Sequence, residues 1–466
     1  MADPLEPKRP TPLDTILKLF ADVRPGEGLL AVVFMVTILL LMFSYYIIKT
    51  AREPLILAAG SAELKTYASG YMAVVLVVVL PGFNWLTSRV STKRLLFAVT
   101  GFFLLCIQGF FLALRAEMDI GVPFFIWVGI FSLSTIALFW SFANEVYTRE
   151  EGERLFPIVG IGMTGGAFGG SFLAKQLFGD EVSPGIVLQV AAGLLLAHGA
   201  LYAWILRFSK VRSALSDGEE DEEVDHKPFH GQEPGEEAVV LPDPEKKTGL
   251  RAALEGFELL FRKRYIGLIA VLILLLNVVN TTGEYILSSY VVGMADELGL
   301  QDAARGAYIG EFYGDFFLWV NIAGVTLQAF VASRLVKIFG IAGVLFALPI
   351  VAGASYFLAA LGVSFMVFRW AKTAENSTDY SIMNTARAML WLPTKREEKY
   401  AGKQTIDTLV VRLGDLLSAG LVFVGTEWLR LSTQGFAWAN VVIVAIWLAL
   451  AWLLLRSYKS LAGESE

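Results

Sequence analysis

The sequence predicts an all-α integral membrane protein with about twelve transmembrane helices, arranged as two halves of six. Three observations support this fold class. Hydrophobic residues make up 55% of the 466 residues, charged residues only 18%, and the mean hydropathy is +0.59. Long apolar runs recur along the chain, and one acidic segment separates the first six runs from the last six. A soluble chain of this length would instead divide into domains with charge-rich surfaces.

The first apolar run, from Leu29 to Ile48, shows the pattern. Its only polar residues are one threonine, one serine and two tyrosines. Twenty such residues at a rise of about 1.5 Å span the ~30 Å hydrocarbon core of a bilayer. The run follows 28 residues that contain four basic side chains, which is unlike a cleaved signal peptide. We therefore expect a retained first helix after a cytoplasmic N-terminal segment, residues 1–28.

The remaining runs divide into two sets of similar length. Together with the first run they lie near 29–48, 66–86, 95–114, 123–143, 155–178 and 186–206, then 265–290, 312–333, 341–360, 363–386, 404–425 and 436–455. The expected six-helix bundles are therefore residues 29–207 and 263–456, followed by a cytoplasmic tail, residues 457–466. Two parallel repeats around an axis normal to the membrane produce this layout, as in major facilitator transporters.

The segment between the two sets, residues 208–262, has a different character. Its central part, residues 216–245, contains twelve acidic residues, one lysine and four prolines, with few apolar side chains. This composition predicts a disordered, solvated linker. The acidic part carries a net charge of −11, whereas the whole chain carries −6. The low net charge is therefore a property of one loop and does not indicate the charge of a substrate.

The distribution of basic residues predicts the orientation in the membrane. With a cytoplasmic N-terminus, the termini and the even-numbered loops hold 27 of the 38 lysines and arginines, against 6 in the odd-numbered loops. Basic residues concentrate in cytoplasmic loops of membrane proteins. We therefore expect a multi-pass protein of a bacterial inner membrane with both termini and the acidic linker in the cytoplasm.

Few residues suit metal, redox or hydrolytic chemistry. The single cysteine, Cys106, excludes an intramolecular disulfide and a cysteine zinc cluster. Two of the three histidines, His226 and His230, lie in the polar linker, and the sequence contains no metalloprotease, nucleophile-elbow or phosphate-loop motif. We expect no enzyme activity, no cofactor and no metal site. The expected partners are the lipid bilayer and an anionic small molecule, with no nucleic acid and with the chain as a monomer.

The tenth run carries an ionic face. At 100° per residue, six polar residues fall within about a third of the helix circumference; they are Arg369, Lys372, Glu375, Asn376, Asp379 and Arg387. Charges at bilayer depth are costly and tend to face a cavity or a partner. In one interpretation the cations bind an anionic substrate, while Glu375 and Asp379 serve gating or proton coupling. In the alternative, the residues form a self-neutralising salt-bridge ladder with a packing role.

The eleventh and seventh runs contain further candidates. Lys403 and Asp407 lie one turn apart, and the pair is either a gating element or an ordinary helix-end contact. Arg412 lies deeper and either contacts substrate or pairs with a neighbouring acid. Glu284 belongs to a polar patch of the seventh run, which suits either a cavity wall or hydrogen bonds between helices.

The first and fifth helices carry two other patterns. Lys49 at the end of the first run is typical of a cation that reaches to the interface beside tyrosines. Arg52, followed by Glu53 and Pro54, alternatively predicts an interrupted helix that lines an entrance. In the fifth run, glycines recur every four residues from 162 to 170, which favours close helix packing.

Two longer stretches carry a family resemblance. The first runs from Phe139 to Gly162, and the second from Asp379 to Pro393 and on through Lys399 to Gly414. Both resemble the ATP/ADP translocase family of bacteria and plastids, and weaker similarities lie at 19–27 and 308–324. The resemblance implies nucleotide transport, as ATP/ADP exchange or proton-driven uptake, on a major facilitator-like fold. It also implies substrate-related roles for five charged residues, Arg52, Glu145, Arg387, Lys403 and Arg412.

Three functional hypotheses remain open at this point. The first is a secondary active transporter of nucleotides or related organic anions that works by alternating access between the two halves. The second is a proton-coupled carrier of a different small solute, with protons on Glu375 and Asp379. The third is a membrane receptor or scaffold that uses the acidic linker for docking.

Overall fold

The computed structural model describes residues 11–463 apart from residues 59, 88, 209–210 and 212–257. Within these ranges the regular structure is helical and contains no strand. The predicted linker lies almost entirely outside the described residues. A short helix, Pro12–Leu17, precedes the six long helices of the first half. These are α1 (Gly28–Leu57), α2 (Ala62–Thr87), α3 (Thr92–Arg115), α4 (Gly121–Val146), α5 (Arg149–Gly179) and α6 (Pro184–Ile205).

The second half has the same number of long helices in the described part of the chain. Three are simple: α7 (Arg264–Glu297), α8 (Asp302–Leu327) and α12 (Thr433–Ala462). A π-helical segment, Gln328–Ala332, continues α8 into the range Ser333–Ala360, which we call α9 and which contains a break at Gly340. The other two helices contain wider, π-helical turns: α10 consists of Phe365–Thr378, Asp379–Met383 and Asn384–Leu390, and α11 of Arg396–Thr405, Ile406–Val410, Val411–Phe423 and Val424–Trp428.

Ten helical stretches in the described residues are long and apolar enough to cross a membrane. One of them, Asp302–Ala360, is 59 residues long and contains Gly340 at a φ of 60°. This backbone geometry breaks the helix and divides it into two crossings, because φ > 0 is incompatible with a right-handed helix. The ionic helix α10 is absent from the ten. Counting Asp302–Ala360 as two crossings and adding α10 raises the ten stretches to the twelve predicted crossings. The prediction of an all-α membrane protein is confirmed.

The successive helices run in alternating directions, so their ends form two faces. The connections at 58–61, 116–120, 180–183, 298–301, 361–364 and 429–432 lie at one end, which we call the odd-loop face. The start of α1 and the end of α12 lie at the opposite end, the terminal face. The most extensive contacts between the two halves are made by α5 with α8, α2 with α11, α1 with α8, and α2 with α7.

The glycine repeat of α5 serves packing, as one interpretation of the sequence predicted. A Cβ atom on Gly162, Gly166 or Gly170 would collide with the backbone of α1. The colliding atoms are carbonyl oxygens on successive turns of α1, those of Met35, Leu39 and Phe43. The small residues therefore bring the two backbones into direct contact along several turns.

One buried carboxylate, that of Asp14, organises the chain before α1. Asp14 accepts backbone hydrogen bonds from Thr11 (2.8 Å), Gly26 (3.1 Å) and Gly28 (2.9 Å). These donors, with the Thr11 N–H contributing most, lower the pKa of Asp14 to about 2. The segment thus fixes the start of α1 at the terminal face.

The predicted interruption of the first helix is wrong. Helix α1 continues through Pro54 to Leu57, and the N–H of Ala58 donates to the Pro54 carbonyl at 2.9 Å. Proline removes one backbone donor and fixes φ near a helical value, and Pro54 lies in the last full turn. The loss of one hydrogen bond at this position therefore leaves the helix continuous.

Candidate functional site

A central cavity of about 280 Å³ lies between the two halves, near the lower end of the ~300–1,000 Å³ usual for small-molecule sites. Its wall comes from α1, α2 and α4 of the first half and from α7, α8, α10 and α11 of the second. Five cations line it, and they are Lys49, Arg52, Lys65, Arg387 and Arg412. Three acids join them, Glu284, Asp379 and Asp415. Both halves contribute cations, and the five cations outnumber the three acids, which suits an anionic ligand inside the membrane.

The first group of charges, which we call the Lys65 cluster, consists of Lys49, Arg52, Glu53, Lys65 and Glu284. Glu53 is fully buried, and its carboxylate is 2.5 Å from Arg52 Nη2 and 2.7 Å from Lys65 Nζ. Lys65 also lies 3.7 Å from Glu284 on the other half. The cluster therefore connects α1 and α2 with α7 across the interface between the halves.

Lys49 belongs to the cavity wall rather than to the membrane interface. Only 8% of the residue is exposed. Its Nζ lies 5.1 Å from the ring centres of Tyr46 and Phe317 and 5.6 Å from that of Tyr45. Aromatic faces attract a cation at such distances. The interpretation of Lys49 as an interfacial, snorkelling residue is therefore wrong, because the surrounding rings hold its charge inside the protein.

The second group, the Arg387 cluster, consists of Asp379, Arg387, Arg412 and Asp415. Arg412 Nη1 lies 3.1 Å from Asp415 Oδ2, so the predicted pairing with a neighbouring acid is present. The other oxygen of Asp415 accepts hydrogen bonds from Asn277 at 3.0 Å and Thr281 at 3.3 Å. Arg412 also lines the cavity, so the structure combines both interpretations of this residue.

Asp379 and Arg387 both line the cavity on α10. Asp379 begins the π-helical turn Asp379–Met383, a type of distortion that recurs at functional sites. Arg387 attracts Asp379 electrostatically, and it also attracts Asp407 of α11, which is half-buried. Arg387 thus shares its charge between an acid that lines the cavity and one that is absent from the cavity lining.

Lys372 and Glu375 lie outside the cavity wall, in a buried group with Tyr356. Lys372 Nζ lies 3.0 Å from Glu375 Oε1, and the Tyr356 hydroxyl donates to the same oxygen at 2.6 Å. Lys372 also donates to Asn280 at 3.0 Å. Glu375 Oε2 has no hydrogen-bond partner in the described part of the chain. Glu284 lies 3.9 Å from Lys372, which links this group to the Lys65 cluster.

Arg369 and Glu145 are also outside the cavity. Arg369 forms an ion pair with Asp315, which Lys175 of the first half approaches to 2.5 Å near the odd-loop face. Asp315 of α8 thus contacts both Arg369 of α10 and Lys175 of the first half. Glu145, close to the terminal end of α4, accepts a hydrogen bond from Thr92.

Lys403 and Asp407 lie on the terminal side of α11 and are absent from the cavity wall. Asp407 is attracted by Lys403, one turn before it, as the spacing predicted. The sequence-predicted residues that meet in the cavity are therefore Arg52, Glu284, Asp379, Arg387 and Arg412.

Lys65 is a cavity residue that sequence analysis missed. It lies one residue before the predicted second run and was counted with the basic residues of an odd-numbered loop. The available signal was Glu53, since an acid next to the apolar end of the first helix requires a cationic partner when it is buried. Lys65, at the start of the next helix, was near enough in sequence to supply that partner.

Several contacts join the halves in the part of the bundle next to the odd-loop face. Lys65 donates to Ser288 (3.1 Å) and Tyr313 (3.3 Å), and Tyr285 donates to Glu63 (2.9 Å). Deeper in the bundle, Asn321 of α8 accepts from Tyr46 of α1 at 3.2 Å and donates to Ser171 of α5 at 3.3 Å. Together with the Lys175–Asp315 pair, these contacts join the two halves on the odd-loop side of the bundle.

The model of the TLC ATP/ADP transporter family matches residues 125–459, well over half of the chain. The chain belongs to this family. The ADP,ATP carrier protein 1 of Chlamydia muridarum is 24% identical over 71% of this chain and 63% of that protein. The ADP,ATP carrier protein 3 of Rickettsia typhi is 21% identical over 83% of this chain and 85% of that protein. The chain thus spans somewhat less than two thirds of the length of the chlamydial relative.

Solved structures show the same fold. The POT family transporter PepTSo superposes with a TM-score of 0.58 and 14% identity, covering 93% of this chain and 98% of that chain. The nucleoside transporter NupG gives a TM-score of 0.56 and 12% identity, covering 92% and 98%. A POT family transporter in complex with a thioalcohol-conjugated peptide gives 0.65 and 11%, covering 94% and 97%. The fold is therefore the major facilitator-like arrangement that the sequence predicted.

Proposed function

We propose that the chain is a secondary active transporter that moves nucleotides, by ATP/ADP-type exchange or proton-driven uptake, or a related organic anion. The cavity carries this proposal, since both halves contribute cations to one site inside the membrane. The family description and the ADP,ATP carriers among its relatives support a nucleotide as the substrate. In this function Arg52, Lys65, Arg387 and Arg412 bind the anionic substrate.

The contacts between the halves support transport by alternating access. The pairs that involve Lys65, Glu63 and Asp315 lie on the odd-loop side of the cavity. In the opposite state these pairs separate, and the terminal face closes instead. A substrate changes the balance between the two states only if it binds them with different affinity. Lys65 suits this task, because an anion in the cavity competes with Glu53 and Glu284 for its charge.

Other predicted residues are assigned to gating. Arg369, with Asp315 and Lys175, holds the odd-loop side closed, and Glu284 connects the cavity with the buried Lys372 and Glu375. Lys403, Asp407 and Glu145 lie towards the terminal side, where they act when that face closes. We further propose that the protein is a monomer in a bacterial inner membrane, with its termini and the terminal face of the cavity on the cytoplasmic side.

Counterflow in proteoliposomes tests the proposal. Vesicles that contain the purified protein and unlabelled AMP, ADP or ATP are expected to accumulate the matching labelled nucleotide well above protein-free vesicles. Arg412→Gln is expected to abolish this accumulation, because it removes a cavity cation. The control Arg149→Gln removes an exposed cation that pairs with Glu153 outside the cavity, and it is expected to retain transport. Absence of counterflow for every nucleotide contradicts the proposal.

A second candidate function, a proton-coupled carrier for a different small solute, has its own supporting observation. Glu375 has one buried oxygen without a hydrogen-bond partner among the described residues, and the carboxylates of Glu284 and Asp379 line the cavity. A buried carboxyl with a vacant oxygen is suited to carry a proton. This function predicts uptake that a protonophore abolishes and that unlabelled nucleotides do not compete for.

A further inference from the structure

The two groups of charges in the cavity differ in their balance. The Lys65 cluster has three cations, Lys49, Arg52 and Lys65, against the two carboxylates of Glu53 and Glu284. It therefore keeps one positive charge in excess. The Arg387 cluster has two cations against two carboxylates and has no excess. The wall as a whole thus offers a small surplus of positive charge, concentrated on the Lys65 side.

This balance limits the charge that a ligand can bring into the cavity. A phosphate monoester carries about −1.5 to −2 charges at pH 7, and each additional phosphate group adds further negative charge. Charge that enters a water-poor cavity without a counter-charge costs much more than it does in water. A ligand with one phosphate at the Lys65 cluster is close to compensated. A ligand that extends further phosphates towards the Arg387 cluster meets cations that already have acidic neighbours.

Asp379 is the acid that produces this limit. The carboxylate of Asp415 is engaged by Arg412, Asn277 and Thr281, so it belongs to the frame of the wall. Asp379 faces the cavity from a widened turn of α10. It is attracted by Arg387, which also attracts Asp407 of α11. Replacement of Asp379 by a neutral residue would leave Arg387 with more charge for a ligand.

We infer that the site prefers a nucleotide with a single phosphate group over nucleoside di- and triphosphates, and that Asp379 is the residue that sets this preference. The inference rests on the proposed nucleotide transport and adds the class of nucleotide. It assigns the phosphate to the Lys65 cluster and the less charged part of the nucleotide to the side of the Arg387 cluster.

Equilibrium binding to the purified full-length protein tests the inference. The probes are AMP, ADP and ATP, each measured in the presence of a chelator and again with excess Mg²⁺, since the cation removes part of the charge of a polyphosphate. Without Mg²⁺, the wild-type protein is expected to bind AMP at least about tenfold more tightly than ADP, with ATP weaker still. Asp379→Asn is expected to reduce the AMP-to-ADP preference by about tenfold, mainly by tighter ADP binding.

The matched control is Asp296→Asn, which removes one acid from an exposed position that pairs with Arg305 at the end of α7. It is expected to leave the ratio unchanged. Asp379→Ser provides a second variant in case the amide is poorly accommodated, and the wild-type ranking needs no variant. Tighter binding of ADP or ATP than of AMP by the chelator-treated wild type overturns the inference while leaving nucleotide transport intact. An unchanged ratio in both Asp379 variants also overturns it. Absence of binding by all three nucleotides contradicts the proposed function as well.

Discussion

Two pairs of charged residues on α10 lie close in sequence and have very different surroundings. Lys372 and Glu375 are buried and bonded to each other and to Tyr356. Asp379 and Arg387, one to three turns further on, line the cavity. Helical periodicity places all four on one face, yet only the second pair is accessible to a ligand.

The difference shows that one ionic stripe can serve both interpretations drawn from the sequence. Near the middle of α10 the neighbouring helices α7 and α9 cover the stripe, and the charges satisfy one another as in a salt-bridge ladder. Further along the same helix, Asp379 and Arg387 of this stripe line the cavity. The role of each charge therefore depends on which helix lies opposite it, and the two pairs are expected to respond differently to substitution.

The largest effect is expected for the buried pair. Lys372→Met leaves Glu375 as an unpaired buried charge, and breaking such pairs typically costs about 3–5 kcal/mol. We expect a large fall in the apparent melting temperature of the purified protein and little protein in the membrane. The double variant Lys372→Met with Glu375→Leu removes both charges and is expected to regain most of the lost stability.

Transport by the double variant then distinguishes a packing role of the pair from proton transfer by Glu375. If the pair serves packing alone, recovery of the melting temperature is accompanied by recovery of nucleotide counterflow. If Glu375 carries a proton, the stable double variant remains inactive in uptake driven by a pH gradient. A double variant that is no more stable than Lys372→Met contradicts the assignment of the two residues as a self-compensating pair.

An intermediate effect, on transport rather than on stability, is expected for the cavity pair. Arg387→Gln removes a cation that a ligand can reach, so counterflow is expected to fall by at least about tenfold. The melting temperature is expected to change little, because Asp379 is only half-buried and Lys403 still attracts Asp407. Arg387→Lys keeps the charge but not the planar guanidinium. Its counterflow is expected to lie between that of the wild type and that of Arg387→Gln. Equal loss of stability in Arg387→Gln and Lys372→Met would remove the distinction between the two pairs.

The sequence was sufficient to predict the helices and their order, because a bilayer demands long apolar runs with internally satisfied backbones. It was also sufficient to place Arg52, Asp379, Arg387 and Arg412 among the candidates, since charges in such runs are rare. It could not separate cavity residues from buried pairs, because that depends on the partner helix. Glu284 shows the same limit, as its two sequence interpretations, cavity wall and packing, are both realised in the structure.

Position along the chain was the second source of error. Lys49 and Lys65 lie at the ends of apolar runs, where lysines usually reach water. Here Lys49 is enclosed by aromatic rings, and Lys65 is drawn inward by the buried Glu53. Both effects come from residues on other helices or on an adjacent turn, and periodicity within one run contains no information about them.

The smallest effect is expected for the remaining charge of the α10 stripe, Arg369, which lies near the odd-loop face. Its partner Asp315 keeps Lys175 at 2.5 Å when Arg369 is lost, so Asp315 is not left without a counter-charge. Partly exposed pairs contribute about 0–1 kcal/mol. Arg369→Gln is therefore expected to bind nucleotide with wild-type affinity and to show a modestly altered transport rate.

Asp315→Asn is the matched comparison for Arg369→Gln, because it weakens both pairs at once. It is expected to open the odd-loop side more often. The readout is the rate at which a membrane-impermeant thiol reagent labels Gly179→Cys, which lies across the interface from Glu311, in a chain whose only native thiol is removed by Cys106→Ala. If Asp315→Asn is labelled faster than Arg369→Gln, and Arg369→Gln binds nucleotide with unchanged affinity, Arg369 belongs to the contacts that keep the odd-loop side closed. A reduced affinity in Arg369→Gln would instead return this residue to the substrate site, and the ionic face of α10 would then act as one continuous binding surface.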